Sequence, residues 1–235
     1  MPREQMNAQQ VAAYLHMDLR EVNKLASRGK IPCRRVGGEF IFTKGDVDHW
    51  VENQLPDMDR GRLEGIVAGV SKHHGFEHEM LVTDMIPDGG LAVPLLAKTK
   101  QAVIRSLVDL ADEAGLVWGR DDLIDELLAR EEMCTTAIAP GIAIPHPRHP
   151  LPYDISESFV VAGVTASGIP YGAEDGSLTR AFFLVCCKDD RTHLHVLARL
   201  ARMLYDNHAI DDVLHVEDAD QLRAKLLQHE KAVVD

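Results

Sequence analysis

A chain of 235 residues with 46% hydrophobic and 26% charged residues and a net charge of −12 has the composition of a folded, acidic protein, long enough for a domain of about 150 residues and a small satellite. No apolar run approaches the ~20 residues of a membrane span, and the charged residues after Met1 do not read as a signal segment, so a cytoplasmic protein is expected. Cys33, Cys134, Cys186 and Cys187 lack metal-ligand spacing and are expected to be reduced, mostly buried thiols, and no metal or cofactor is called for.

Two short helices are predicted at the amino terminus. Asn7 to Gln10 and Asp18 to Glu21 each fit a capping box, and each opens an apolar pattern, first Val11, Tyr14 and Leu15, then Val22 and Leu25. Gly29 closes the second helix. CRRVGGEFIF then sets Gly37 and Gly38 between two strand-like arms, a hairpin turn that needs positive φ. Thr43 is expected to cap a third helix with Val47, Trp50 and Val51 turned inward.

Charge marks this region out. Between Leu19 and Gly45 stand Arg20, Lys24, Arg28, Lys30, Arg34, Arg35 and Lys44, against Glu21 and Glu39 alone. Such a local excess is the footprint of phosphate contact, whereas the acidic remainder would repel DNA. Over about Met6 to Glu52 the pattern VAxYL, a recognition helix, G(K)IP, RVGG, F and DVDxW resembles the excisionase-type helix-turn-helix of the winged, MerR-related class, with His16 where the turn usually holds glycine. The expected partner is double-stranded DNA, with the second helix in the major groove and Arg20, Lys24, Arg28, Arg34 and Arg35 as DNA-binding residues.

Residues 56–80 read as a linker between a domain over 1–55 and another over 81–235. LPDMDRGRLEGIVAGVS fits one amphipathic helix with Leu63, Ile66, Val67 and Val70 on a face, a surface for docking or homodimerisation. His73, His74, His78 and Glu79 follow in a polar stretch that reads as solvated rather than as a metal cluster. From Ala97 the order is helix (QAVIRSLVDLADEAG), helix (DDLIDELLAREE), strand (GIAIPH), strand (SFVVAGVTA), strand (AFFLVCCK), helix (HLHVLARLARMLYD), a short element (DDVLHV) and a last helix (DADQLRAKLLQHE). Strands mixed with helices predict an α/β sandwich.

Two segments of this larger domain carry chemistry. In GIAIPHPRHP a short apolar run delivers His146 at its end, between Pro145 and Pro147. In DDRTHLHVLARL, His193 and His195 open an amphipathic helix, so one histidine can face a site while the helix packs, and His195, on another side of the helix from His193, reads as a structural or solvent-facing residue. A neutral imidazole attacks phosphorus in line without a separate base or metal. Donors for the three equatorial oxygens are at hand in Arg130, Thr135, Thr136 and the second imidazole.

From roughly Leu81 to Ala232 these motifs resemble the enzyme IIA domain of the fructose, mannitol and nitrogen-regulatory type of the bacterial sugar phosphotransferase system. That family reads ERE, then STG and GNGIAIPHG, then a later HL(H/Q) segment opening a helix. The resemblance implies a mixed-sheet α/β sandwich of enzyme IIA type preceded by a small winged helix-turn-helix domain. It also implies His146 as acceptor of phosphate from a histidine-containing phosphocarrier protein, with Arg130, Thr136 and His193 as catalytic residues. Ala137, Ala139 and Pro140 stand where the family has glycines, and Pro147 stands where PHG has glycine, removing one backbone N–H beside the ring. Arg148 and His149 follow as substitute donors. The expected function is a regulator whose IIA-like domain takes phosphate and tunes DNA binding. A catalytically silent interaction module and a plain phosphocarrier stand beside it as alternatives.

Overall fold

The computed structural model describes residues 4–54, 58, 61, 65, 81–204 and 207–234. The linker helix expected over 55–71 and the polar stretch after it lie outside these residues, apart from 58, 61 and 65. The chain divides into two compact units, residues 1–78 and 79–235.

The first unit contains β1 (Gln5–Asn7), α1 (Ala8–Tyr14), α2 (Leu19–Ser27), β2 (Arg34–Val36), β3 (Glu39–Thr43) and α3 (Lys44–Gln54). The strands form an antiparallel sheet in the order β1-β3-β2, of which the sequence suggested only the last two. Asn7 and Gln10 make a reciprocal capping box, each side chain accepting the other's backbone N–H at 2.8 Å. At Asp18 the expected box is not formed as such: the side chain accepts from Arg20 N–H at 2.7 Å rather than from the third helical amide. The turn between the helices places His16 at φ +50°, a left-handed conformation that costs a β-carbon residue energy, which is why glycine suits it. Gly37 and Gly38, at φ +60° and +92°, make the tight β2–β3 turn.

Val11, Leu15, Val22, Ile31, Phe42, Val47 and Val51 are buried together with Tyr14. Trp50 is only half-buried, because its indole N–H reaches outward to donate to the Lys30 carbonyl at 2.6 Å. Lys44, one of the basic residues between Leu19 and Gly45, is buried rather than on the basic surface: its ammonium pairs with Asp48 at 2.6 Å and sits over the Tyr14 ring. A buried ammonium needs such a partner.

The second unit opens with a 3-10 turn at Thr83–Met85 and continues through β4 (Leu91–Ala92), α4 (Lys100–Glu113), α5 (Arg120–Met133), β5 (Ala137–Ala139), β6 (Ile142–Ala143), β7 (Phe159–Ile169), β8 (Thr179–Cys186), α6 (Asp190–Met203), α7 (Asn207–Leu214) and α8 (Ala219–Val234). Its sheet is mixed, in the order β4-β7-β8-β6-β5, with β4 parallel to β7 and β6 parallel to β8. The unbroken apolar runs FVVAGV and AFFLVC are those of strands covered on both faces. Phe159, Val161, Phe182 and Leu184 pack in one core with Val103, Leu107 and Val108 of α4 and Leu123, Ile124 and Leu127 of α5. Helices α6, α7 and α8 meet the sheet at β8 and β4. Each large apolar side chain so buried contributes about 1.5–3 kcal/mol.

The α/β sandwich with a helix-turn-helix unit before it is thus observed, with adjustments. Strands β4 and β5 are two and three residues long and carry no alternating pattern of their own. The DDVLHV element belongs to a helix that starts at Asn207. Of the four cysteines, Cys186 and Cys187 are buried, Cys33 is half-buried and Cys134 is exposed. No described helix is long and apolar enough to cross a membrane.

Candidate functional site

The site begins with the β5–β6 hairpin. Ala139 pairs with Ile142 across Pro140 and Gly141, and Gly141 has φ +82°, so the Pro-Gly order meets the needs of a two-residue turn. A β-carbon at Gly141 would stand 2.9 Å from Leu214 Cδ1. Ala137 and Ala139, at positions where the family has glycines, lie at the two ends of β5. The glycine whose conformation is demanding is present.

Past β6 the chain leaves the ladder but is held at two points: Val185 N–H donates to Pro145 O at 3.0 Å and Leu151 N–H to Cys187 O at 2.9 Å. Between these anchors sits His146, buried, its Nδ1 2.7 Å from the Ile144 carbonyl oxygen. A carbonyl only accepts, so Nδ1 carries the hydrogen, and in the neutral ring Nε2 carries the lone pair.

His193 approaches from the first turn of α6. Asp189 caps that helix, accepting from the amides of Arg191 and Thr192 at 3.1 and 3.0 Å and from the Thr192 hydroxyl at 2.8 Å. The His193 and His146 rings meet edge to face, centroids 5.2 Å apart at 63°. His195, two residues on, is buried, which removes the solvent-facing alternative.

Arg130 ends α5 as a buried residue, only 3% exposed. One guanidinium N–H donates to the Cys134 carbonyl at 2.9 Å, while Nε–H meets no acceptor among the described residues. A buried donor of that kind costs free energy unless an acceptor arrives. Thr136 is arranged differently from the expectation that its hydroxyl points at phosphate. That hydroxyl donates to Glu131 Oε2 at 2.6 Å, and its backbone N–H donates to Glu131 Oε1 at 3.2 Å. A buried carboxylate is the strongest acceptor within reach. The Thr135 hydroxyl oxygen accepts Ala137 N–H at 3.2 Å. Arg148 and His149 are both exposed, and the Arg148 guanidinium contacts Met133 Sδ at 3.9 Å.

Two side chains outside the sequence-derived set complete this neighbourhood. Glu131 follows Arg130 directly, at the place of the second glutamate of ERE, which was the signal that could have found it. Lys100, at the start of α4, donates to Glu131 Oε1 at 3.3 Å and lies 4.9 Å above the Tyr171 ring. Burial first, and then the Glu131 carboxylate, push the Tyr171 phenol well above its ordinary value, so it stays protonated.

In the first unit Arg20, Lys24, Arg28 and Arg35 line one open groove of about 670 Å³ between α2 and the β2–β3 hairpin, together with Asn23, Ser27 and Phe40. Arg35 lies over the Phe40 ring at 5.4 Å and donates to Gly38 O. Arg34, its neighbour in β2, is exposed but is not part of the groove, as strand alternation requires.

Comparison with known proteins fits this geometry. Residues 90–229 match the family described as phosphoenolpyruvate-dependent sugar phosphotransferase system, EIIA 2, and residues 6–55 match a helix-turn-helix domain. The chain is 33% identical over 132 residues to the PTS system fructose-specific EIIA component of Haloferax volcanii, covering 55% of this chain and 84% of that protein. It is 27% identical over 154 residues to the PTS system fructose-specific EIIABC component of Bacillus subtilis, where the match takes in 65% of this chain but only 24% of that protein. Among solved structures, the nitrogen regulatory protein IIA-Ntr from Neisseria meningitidis has the same fold, with a TM-score of 0.55, 23% identity and coverage of 62% of this chain and 98% of that one. The mannitol IIA protein of Escherichia coli gives 0.52 at 21% identity, over 59% and 96%. Family pattern, fold and the converging histidines agree: the chain belongs to the EIIA 2 family of the phosphoenolpyruvate-dependent sugar phosphotransferase system, with a helix-turn-helix domain ahead of the IIA domain.

Proposed function

We propose that the protein is a cytoplasmic phosphotransferase-system regulator whose IIA domain accepts a phosphoryl group on His146 from a histidine-containing phosphocarrier protein and thereby tunes DNA binding by its helix-turn-helix domain. The observation that supports this reading is the contact of His146 Nδ1 with Ile144 O at 2.7 Å, which in a neutral ring leaves Nε2 as the nucleophilic nitrogen, with the His193 ring 5.2 Å away between centroids.

In the step itself the Nε2 lone pair forms a bond to phosphorus as the bond from phosphorus to the donor imidazole breaks. The electron pair returns to the donor ring, which leaves neutral because its other nitrogen keeps a proton. Positive charge then develops on the His146 ring, where the Ile144 carbonyl stabilises it at Nδ1–H. Charge on the moving phosphoryl oxygens is met by Arg130, whose guanidinium is held by its bond to Cys134 O, and by the His193 imidazole. Thr136 serves this chemistry by holding the hairpin, since its hydroxyl hydrogen is directed to Glu131. In the regulator, phosphate on His146 is the signal and the α2 groove is the output surface.

The test is incubation with a phosphocarrier and phosphoenolpyruvate, read by intact mass. One acid-labile phosphoryl group is expected on the parent and none on His146→Ala. Fluorescence anisotropy on duplex DNA, with and without that phosphoryl group, then separates a regulator, whose affinity changes, from a plain phosphocarrier, whose affinity does not.

A further inference from the structure

Five residues form an unbroken series of hydrogen bonds ending at the histidine. Lys100 Nζ donates to Glu131 at 3.3 Å, and Glu131 receives both the N–H and the hydroxyl of Thr136 at 3.2 and 2.6 Å. The Thr136 carbonyl accepts Ile144 N–H at 2.9 Å across the hairpin, and the Ile144 carbonyl accepts His146 Nδ1–H at 2.7 Å. Every link but the first is set in buried or strand-held structure. The first is an ion pair, with the Glu131 side chain 2% exposed and that of Lys100 33% exposed.

We propose that Lys100 and Glu131 are positioning residues for His146: this ion pair sets where Thr136 sits, hence where the Ile144 carbonyl points, and so fixes both the orientation and the tautomer of the imidazole. The inference rests on the phosphotransfer reading for its consequence, though not for its geometry. Three features make the couple a fitting anchor. Glu131 accepts two hydrogens from one residue, which defines Thr136 in both position and rotation. Lys100 pairs with a carboxylate that is otherwise costly to bury, at 3.3 Å. The Lys100 ammonium also lies close to the chain at Gly172: a β-carbon there, where φ is +117°, would lie 3.4 Å from Lys100 Nζ and 3.4 Å from Thr135 Oγ1. The tip of Lys100 is thus held between the Tyr171 ring, Glu131 and the Gly172 backbone.

The experiment uses the full chain and four variants: Lys100→Met, Lys100→Arg, Thr136→Val and Thr136→Ser. The first two act at the ion pair and the last two at the next link, so a folding defect in one set leaves the other informative. Two readings are taken on each. The first is the ring tautomer of His146, from long-range nitrogen–proton NMR spectra of protein labelled in histidine. The second is the single-turnover transfer rate against phosphocarrier concentration. Lys100→Met and Thr136→Val should shift His146 from predominantly Nδ1–H toward a mixture. They should slow transfer about tenfold to a hundredfold, the scale of a small misplacement, while leaving the half-saturating carrier concentration unchanged. Lys100→Arg and Thr136→Ser should restore both readings. Parental tautomer and parental rate in Lys100→Met and Thr136→Val would overturn the proposal while leaving phosphotransfer in place. A tautomer that shifts in a protein whose parent takes no phosphoryl group would uphold the positioning role and overturn the phosphotransfer reading instead.

Discussion

Glu230, in the last helix, accepts the Thr83 hydroxyl at 2.6 Å and the Thr83 amide at 2.9 Å, with Val82 N–H donating to its other oxygen at 2.6 Å. A fully buried carboxylate near the end of the IIA unit therefore caps the 3-10 turn with which that unit begins.

Removing that carboxylate leaves buried donors without an acceptor. Glu230→Ala should destabilise the IIA unit by about 1–3 kcal/mol for each N–H so orphaned. Urea unfolding followed by a probe within residues 79–235 measures this, and a midpoint equal to the parent's would show that water replaces the cap at no cost.

Arg130 and His193 should act on rate more than on fold. Substituting either by alanine is expected to slow phosphoryl transfer by roughly tenfold to a thousandfold, the loss associated with one preorganised donor. Quenched-flow transfer from phosphorylated carrier gives the number, and unchanged rates in both variants would make these residues structural.

The groove in the first unit separates two arginines that are adjacent in sequence. Arg35 lines it with Arg20, Lys24 and Arg28, whereas Arg34 does not. An Arg28→Ala/Arg35→Ala double variant should therefore bind duplex DNA more weakly at every sequence, and its salt slope should be lower by about one unit for each phosphate it no longer neutralises. Binding isotherms at several salt concentrations that match the parent's would identify the domain as a protein-contact module.

Asp212 provides a pH signature. The Lys225 hydrogen bond at 2.9 Å is the main influence holding its carboxyl below the ordinary range, helped by His229 at 3.0 Å and by the charge of His208. A depressed carboxylate stabilises the fold when ionised, and the stabilisation fades as pH falls through its folded value. Asp212→Asn should accordingly melt below the parent at about pH 5, and the gap should close progressively below about pH 4. Melting curves across that range decide it, and a gap independent of pH would assign the loss to shape rather than charge.

The fold was legible wherever periodicity or turn chemistry governed a segment. The runs around Val161 and Phe183 read as covered strands, and Gly37-Gly38 read as a tight turn, because burial and positive φ leave marks on composition. Strands β1, β4 and β5 left no such mark, since two or three residues recruited by a neighbouring edge need no pattern of their own. The candidate site was visible as residue types at His146, His193 and Arg130, of which the two histidine rings meet in the structure. What escaped notice was a matter of distance along the chain: Lys100 meets Glu131 from 31 positions away, and no local rule links them. The direction of the Thr136 hydroxyl was equally hidden, because it depends on which acceptor lies nearest in three dimensions.

The uneven exposure of the four thiols gives the molecule a ready-made attachment point. Cys186 and Cys187 are enclosed, burial raises the Cys186 thiol well above its ordinary value and the Cys33 thiol above its own, and Cys134 alone among them is exposed. A maleimide must reach the sulfur to react, so a dye used sparingly should settle on Cys134. That position follows directly on α5 and lends its carbonyl to the Arg130 guanidinium. A fluorophore there would sit beside the Arg130 guanidinium, and if the phosphotransfer reading holds its emission should change when a carrier protein docks, a signal that needs no engineered residue.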